Sequence, residues 1–363
     1  MSKGEKISGL ALFLWLFTFT LGDMSILNPA VGARAYQDSW LGFMLGWAGG
    51  FILMAIYVAI IRLNPSKTLF DIFKECFGKY LGSILIIFYI WYFLYNGSLV
   101  VREFGEYALT VKYSETPILF VCILIVFLAA YAIKNGLEVI GRIIGILAFF
   151  FVLFIITITI LLIPQFDPGN LLPFLEHGLK PILKAGFNTI AFPFGELVLL
   201  LVISSVGNQN VNFKKIGFSA VAVGGFLILI TIFRDIMVLG PALLESQTYP
   251  AQASPLIIPR PIDVSPLIAS SLLIGSGAET TTYLYACTLG ITQLFNLDDY
   301  KPFVFPMAAL MVMLALWNFT NVYQFFGWVG EIYPYYVLPF QTFIPLIILI
   351  ILWFKKKAET KKG

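Results

Sequence analysis

Charge is scarce in this chain. Only 12% of its 363 residues are Asp, Glu, Lys or Arg, about half of the ~25% usual in soluble domains. A water-soluble core of this size needs a charged envelope, and too few charges exist to build one. Histidine occurs once, at His177, in a loop with no second ligand or base beside it, and reads as a surface residue. The three cysteines, Cys76, Cys122 and Cys287, lie far apart in or beside apolar runs. No pair has metal or redox spacing, so they read as small apolar packing residues. A nucleophile–base set, a metal cluster and a phosphate loop are all missing. That argues against an enzyme and leaves no cofactor or metal to expect. The net charge of +3 is too small to suggest a nucleic-acid partner. Long loops are missing too, which leaves no room for a separate soluble domain.

What is present is apolar. Hydrophobic residues make up 59% of the chain and the mean hydropathy is +0.90, so the lipid bilayer is the solvent that fits. About 20 residues cross a hydrocarbon core. Charge-free runs of that order predict an all-α integral membrane protein of about ten spans, at 8–33, 39–61, 80–101, 116–133, 138–163, 182–207, 216–240, 264–293, 302–321 and 333–354. Lys3 and Lys6 before the first run mimic a signal peptide. The run continues past Asp23 without a convincing cleavage signal and is read as a span. In 66–79 the spacing of Leu69, Phe70, Phe73 and Phe77 predicts an amphipathic helix on the membrane face. The five prolines of loop 241–263 exclude one continuous helix there. Placing the N-terminus inside puts sixteen Lys and Arg on the cytoplasmic side and five on the other. That bias predicts cytoplasmic termini and an even number of spans.

Three spans carry an acid in an apolar stretch: Asp23, Glu196 and Glu279. An ionised acid in a membrane costs at least a few kcal/mol, so each marks a functional site by default. Pro193 lacks a backbone donor and Gly195 tolerates unusual dihedrals, so the sixth helix is expected to open over 192–196. Gly22 and Asp23 open the first in the same way. With ten spans in two sets of five, 8–163 and 182–354, the breaks fall at matching positions. Matched breaks point to an inverted-repeat transporter fold with its site near the midplane. A plain kink at Pro193 and a snorkelling Asp23 are the blander alternative. Other charges suit structural pairs: Arg102 with Glu106 and Glu138 with Arg142, four apart, and Arg234 with Asp235 near the end of span 7. Tyr92, Tyr95 and Asn96 suit a cavity lining or packing. Thr280 to Thr282, Tyr283 and Tyr285 offer hydroxyls on more than one face of span 8.

Taken in order, several segments resemble a known family. They are Arg102-Glu-Phe-Gly-Glu106, Glu115-Thr-Pro117, Gly136-Leu-Glu-Val-Ile140, Asn170-Leu-Leu-Pro173 with Lys180-Pro181-Ile182, Phe192-Pro-Phe-Gly-Glu196, and Leu294-Phe-Asn-Leu-Asp-Asp-Tyr-Lys-Pro302. The ordered set, spanning roughly 8 to 355, resembles the B subunits of bacterial spore germinant receptors. That resemblance implies the amino acid–polyamine–organocation superfamily and a leucine-transporter-like fold. It also implies sensing of a small germinant, often an amino acid, in the inner membrane of the spore, together with an A subunit and a lipoprotein C subunit. Two places depart from the pattern. Leu21-Gly22-Asp23 replaces a Gly-x-Gly run, and Arg260-Pro-Ile-Asp263 replaces an expected Arg-x-Glu.

The reading is therefore a ligand-binding membrane subunit that starts germination. The expected ligand residues are Gly22, Asp23, Met24 and Ser25 in span 1, Tyr95 in span 3, Pro193, Phe194, Gly195 and Glu196 in span 6, and Thr281 and Tyr285 in span 8. Free N–H groups after the span 6 break favour an anionic ligand group, unless Glu196 caps them or stays protonated. Asp23 suits a ligand amine. The alternative is a secondary transporter of amino acids or similar solutes, proton-coupled through Asp23, Glu196 or Glu279. An ion or water channel is a third reading.

Overall fold

In lipid every backbone N–H and C=O must find a partner inside its own segment, so apolar runs become helices. The computed structural model describes residues 6–22, 35–111, 115–207, 211–247, 249–259 and 261–360, with side chains of the last helix described to Ala358. The main helices are α1 (Gly9–Gly22), α2 (Ser39–Leu63), α3 (Leu69–Val111), α4 (Ile118–Lys134), α5 (Leu137–Leu162), α6 (Leu179–Thr189), α7 (Phe213–Ser246), α8 (Ser265–Leu294), α9 (Val304–Trp317), α10 (Val322–Glu331), α11 (Tyr333–Leu338) and α12 (Ile344–Thr360). Each of the ten expected runs holds a helix. Among the described residues six helical stretches are long and apolar enough to span, and α9 with α10 makes a seventh bent by 100°. The chain is a multi-pass membrane protein. On α5, Ile143, Ile146, Phe149, Leu153, Ile156 and Ile160 are exposed along one face, while Ile140, Ile144, Ala148, Phe151 and Ile155 are buried on the other. Apolar residues on both faces fit a helix with protein on one side and lipid on the other.

The broken sixth span sits at the centre: 94% of its apolar stretch is buried, against 28% for that of α5. A stripe of small residues on α2 lets it in. A Cβ on Gly42 would lie 2.4 Å from the Ala185 Cβ, one on Gly46 2.2 Å from the Thr189 Cβ, and one on Gly50 2.5 Å from the Phe194 ring. Small residues at this spacing allow close helix contact in membranes.

Two expectations change. The helix over 69–77 does not lie on the membrane face with its apolar side toward lipid. Leu69, Phe70 and Phe73 are fully buried, and the Phe73 ring packs 4.8 Å from that of Tyr89. Gly78, at φ 76° and ψ 178°, folds the segment back on the rest of α3, a backbone conformation that glycine adopts freely. The ninth span ends at Trp317 rather than 321, and α10 is a separate helix that the hydropathy pattern does not announce. Asn321 starts it, its side chain accepting from the Gln324 N–H at 2.9 Å, which is an ordinary N-cap.

Candidate ligand chamber

The break in span 6 is where the sequence places it, with one change of cause. Beyond α6 the chain widens over Ile190–Phe194, with Phe192 extended at φ −147° and ψ 115°. It then tightens over Gly195–Leu199 and resumes as helix at Leu200–Ile203. Pro193 supplies no N–H inside the widened turn. Gly195 has an ordinary helical φ of −67°, so the expected dihedral freedom is not what this position uses. It uses space: a Cβ there would lie 2.0 Å from Gln341 Oε1 and 2.9 Å from the Ile190 carbonyl oxygen. Gln341 belongs to a second widened turn, Pro339–Phe343, ahead of α12. The Tyr57 hydroxyl of α2 reaches both irregular segments, 3.1 Å from the Gly195 carbonyl and 2.7 Å from that of Gln341.

The next residue, Glu196, is buried at 2% exposure. The hydroxyl of Tyr333, from α11, is hydrogen-bonded to its carboxyl, and the Tyr283 hydroxyl of α8 also faces it. The same Tyr333 oxygen lies 2.7 Å from Asn96 Oδ1. Asn96 is fixed in that orientation because its Nδ2 donates to the Tyr92 carbonyl at 2.6 Å. The Tyr92 hydroxyl in turn accepts from Gln341 Nε2 at 2.9 Å. Four elements thus meet at Glu196: α3, the broken span, α8 and α11. Beside it, between α3, the broken span, α10 and α11, lies a cavity of about 20 Å³, lined in part by Asn96, Glu103, Phe192, Glu196, Phe325 and Tyr333. That is room for roughly one water.

The expected break in span 1 lies outside the described residues. α1 is described as far as Gly22, whose Cα packs against α8: a Cβ on Gly22 would lie 1.9 Å from Glu279 Oε1 and 3.0 Å from the Gly275 carbonyl carbon. Asp23, Met24 and Ser25 lie outside the described residues. Gly22 borders a cavity of about 40 Å³ that also touches Arg234, Gln252 and Ile268. Gln252 and Ile268 also line a vestibule of about 520 Å³, with Tyr107, Thr110, Tyr249 and Ser265. Arg234 and Asp235 are buried and paired at 2.7 Å, with Ser254 donating to Asp235 at 2.6 Å. They lie five to six residues before the break of α7 at Gly240 (φ 70°, ψ 166°), near the end of the span as expected. Arg102 and Glu106 form the expected pair, buried, with Arg102 also donating to the Ala315 carbonyl at 3.1 Å. Arg142 and Glu138 pair in the open.

Three of the expected ligand residues stand elsewhere. Tyr95 packs among Trp91, Trp328 and Tyr336. Thr281 donates to the Gly277 carbonyl at 2.7 Å and borders a separate cavity of about 460 Å³ between α4, α5 and α8. Tyr285 packs between Trp15 and Tyr300. The chamber's own hydroxyls come from Tyr283 and Tyr333, neither of them in the expected set. A signal for part of it is present in the sequence: Tyr92, Asn96, Glu103, Glu106, Tyr107 and Thr110 fall on one face of α3.

The chain's similarities agree with this geometry. A sequence model of the family described as "Spore germination protein" matches residues 6–323. Spore germination protein KB of Bacillus subtilis (strain 168) is 31% identical over 99% of this chain and 98% of its own length. Spore germination protein YndE of the same organism is 24% identical over 94% of each chain. Among solved structures, Mhp1, a nucleobase-cation-symport-1 family transporter in a closed conformation with bromovinylhydantoin bound, superposes with a TM-score of 0.71. That match has 12% identity and covers 96% of this chain and 78% of that one. It shows a shared transporter fold, the leucine-transporter-like architecture.

Proposed function

The chain belongs to the spore germination protein family, and from that premise we propose that it is the membrane subunit of a germinant receptor. It binds a small solute, an amino acid or a similar molecule, and triggers germination with an A subunit and a lipoprotein C subunit. The observation that carries this reading is the opened span 6, with buried Glu196 beside it, in a protein of this family. Ligand binds between the end of α1, with Asp23, Met24 and Ser25, and Pro193 to Glu196. Five-helix halves over 8–163 and 182–354 rock about that site. Both termini are cytoplasmic by the Lys and Arg bias. The vestibule at Tyr249 and Gln252 then opens on the outer side and is the entry. A cavity of about 20 Å³ is too small for an amino acid, so binding requires the chamber to widen. This is how a ligand shifts a conformational equilibrium: it favours the state with room for it. The protein performs no covalent chemistry.

The shared transporter fold favours a second reading, secondary transport of the same class of solute. Two measurements separate them. Spores lacking only this chain are exposed to single amino acids and sugars, and the full-length protein in liposomes is tested for uptake of the same solutes. Lost germination without uptake supports the receptor. Uptake with unchanged germination overturns it.

A further inference from the structure

The hydrogen-bond geometry around Glu196 fixes a proton count. A tyrosine hydroxyl has one proton to donate. The Tyr333 oxygen is in contact with two acceptors, Asn96 Oδ1 and the Glu196 carboxyl. The Asn96 amide cannot turn to offer its nitrogen, because that nitrogen is held by the Tyr92 carbonyl. Tyr57 also faces two acceptors, but those are neutral carbonyls, which share a proton at little cost. An ionised carboxylate would take the Tyr333 proton outright. Asn96 Oδ1 would then sit 2.7 Å from an oxygen with no proton pointing at it, a buried repulsive contact. With a proton on Glu196 every one of these contacts is satisfied: Glu196 donates to Tyr333, and Tyr333 donates to Asn96.

A route for that proton is built into α3. Glu103 lines the water-sized cavity opposite Glu196. One turn further on α3, Glu106 is paired with Arg102, and Tyr107 and Thr110 line the vestibule. The Tyr249 ring, also at the vestibule, packs 5.5 Å from that of Tyr107. The titratable groups facing Glu196 are thus Tyr92 on α3, Tyr283 on α8, Tyr333 on α11, and Glu103 across the cavity. Glu106 and Tyr107, three and four residues on, fall on the same face of α3 as Glu103.

We propose that Glu196 carries a proton in this conformation and exchanges it with the vestibule through Glu103. In the exchange the Glu196 O–H bond breaks and an O–H bond forms on the Glu103 carboxylate, so the pair keeps one proton and one negative charge. Widening of the chamber by ligand separates Tyr333 from Glu196 and releases the proton. The role of release in signalling rests on the chamber being the ligand site proposed above; the proton count does not.

The test needs no germinant. Full-length protein in liposomes at neutral pH is examined by infrared spectroscopy, for the carbonyl stretch of a protonated carboxylic acid. The expected result is a band lost in Glu196→Gln, shifted in Tyr333→Phe, and exchanged with deuterated buffer several-fold more slowly in Glu103→Gln. A wild-type spectrum with no band lost in Glu196→Gln overturns the protonated state. Should Glu196→Gln fail to fold, an unmoved spectrum in Tyr333→Phe does the same. Unchanged exchange in Glu103→Gln overturns the route. None of these outcomes touches the germination role, which the spore experiment decides separately.

Discussion

Adding one methyl group at Gly195 tests whether the break in span 6 is held by space. At φ −67° alanine fits the backbone without strain, and by chain entropy alone it would stabilise by about 0.4–1 kcal/mol. The contacts oppose this. The new Cβ would meet Gln341 Oε1 at 2.0 Å, its Cδ at 2.5 Å and the Ile190 carbonyl oxygen at 2.9 Å. Gln341 must swing away, giving up its hydrogen bond to Tyr92, worth about 0.5–1.5 kcal/mol net. Overpacking in a filled core costs about 1–3 kcal/mol. The sum is a net loss of about 0.5–4 kcal/mol for Gly195→Ala, centred near 2, which is a factor of roughly 30 in the folded ratio.

The assay is the temperature at which purified protein in detergent loses its soluble, monodisperse form, read beside the germination response at matched membrane abundance. Leu197→Ala is a poor control for packing, because Leu197 is fully buried and its truncation costs about 2–5 kcal/mol on its own. The informative partner is Gln341→Ala. In that background the cost of Gly195→Ala falls by about 1 kcal/mol, since contacting residues couple by roughly 0.5–3 kcal/mol. The same cost in both backgrounds, or a stabilised Gly195→Ala, refutes the spatial account.

Three further outcomes are expected. Gly46→Leu drives a side chain into Thr189, whose Cβ lies only 2.2 Å from where the first added carbon would sit, and lowers membrane abundance sharply, as a quantitative immunoblot would read; unchanged abundance means α2 does not hold span 6. A cysteine at Lys356 is unreactive to an impermeant thiol reagent added outside intact cells, and outside labelling rejects cytoplasmic termini. Spores with this chain but without the presumed A or C subunit do not respond through it, and a normal response contradicts the partnership.

How much of this is legible in the sequence follows from what lipid demands. A span must be a long apolar run, so ten helices can be read directly, and a carboxyl in such a run stands out, as Glu196 does. The helix α10 escapes that reading because it has ten residues and ends in Glu331, too short and too polar at its end to resemble a span. The partners of Glu196 are hidden for another reason. Tyr333 lies 137 residues away in the chain, and tyrosine is too common in membrane helices to stand out by type. Gly195 shows the limit most clearly. A glycine beside a proline reads as backbone freedom, yet the requirement comes from Gln341, 146 positions later by the numbering, whose approach no local pattern encodes. The polar face of α3 is the intermediate case. Its spacing is present in the sequence, but only a structure that sets Glu103 and Glu196 on one cavity turns a row of polar residues into a path.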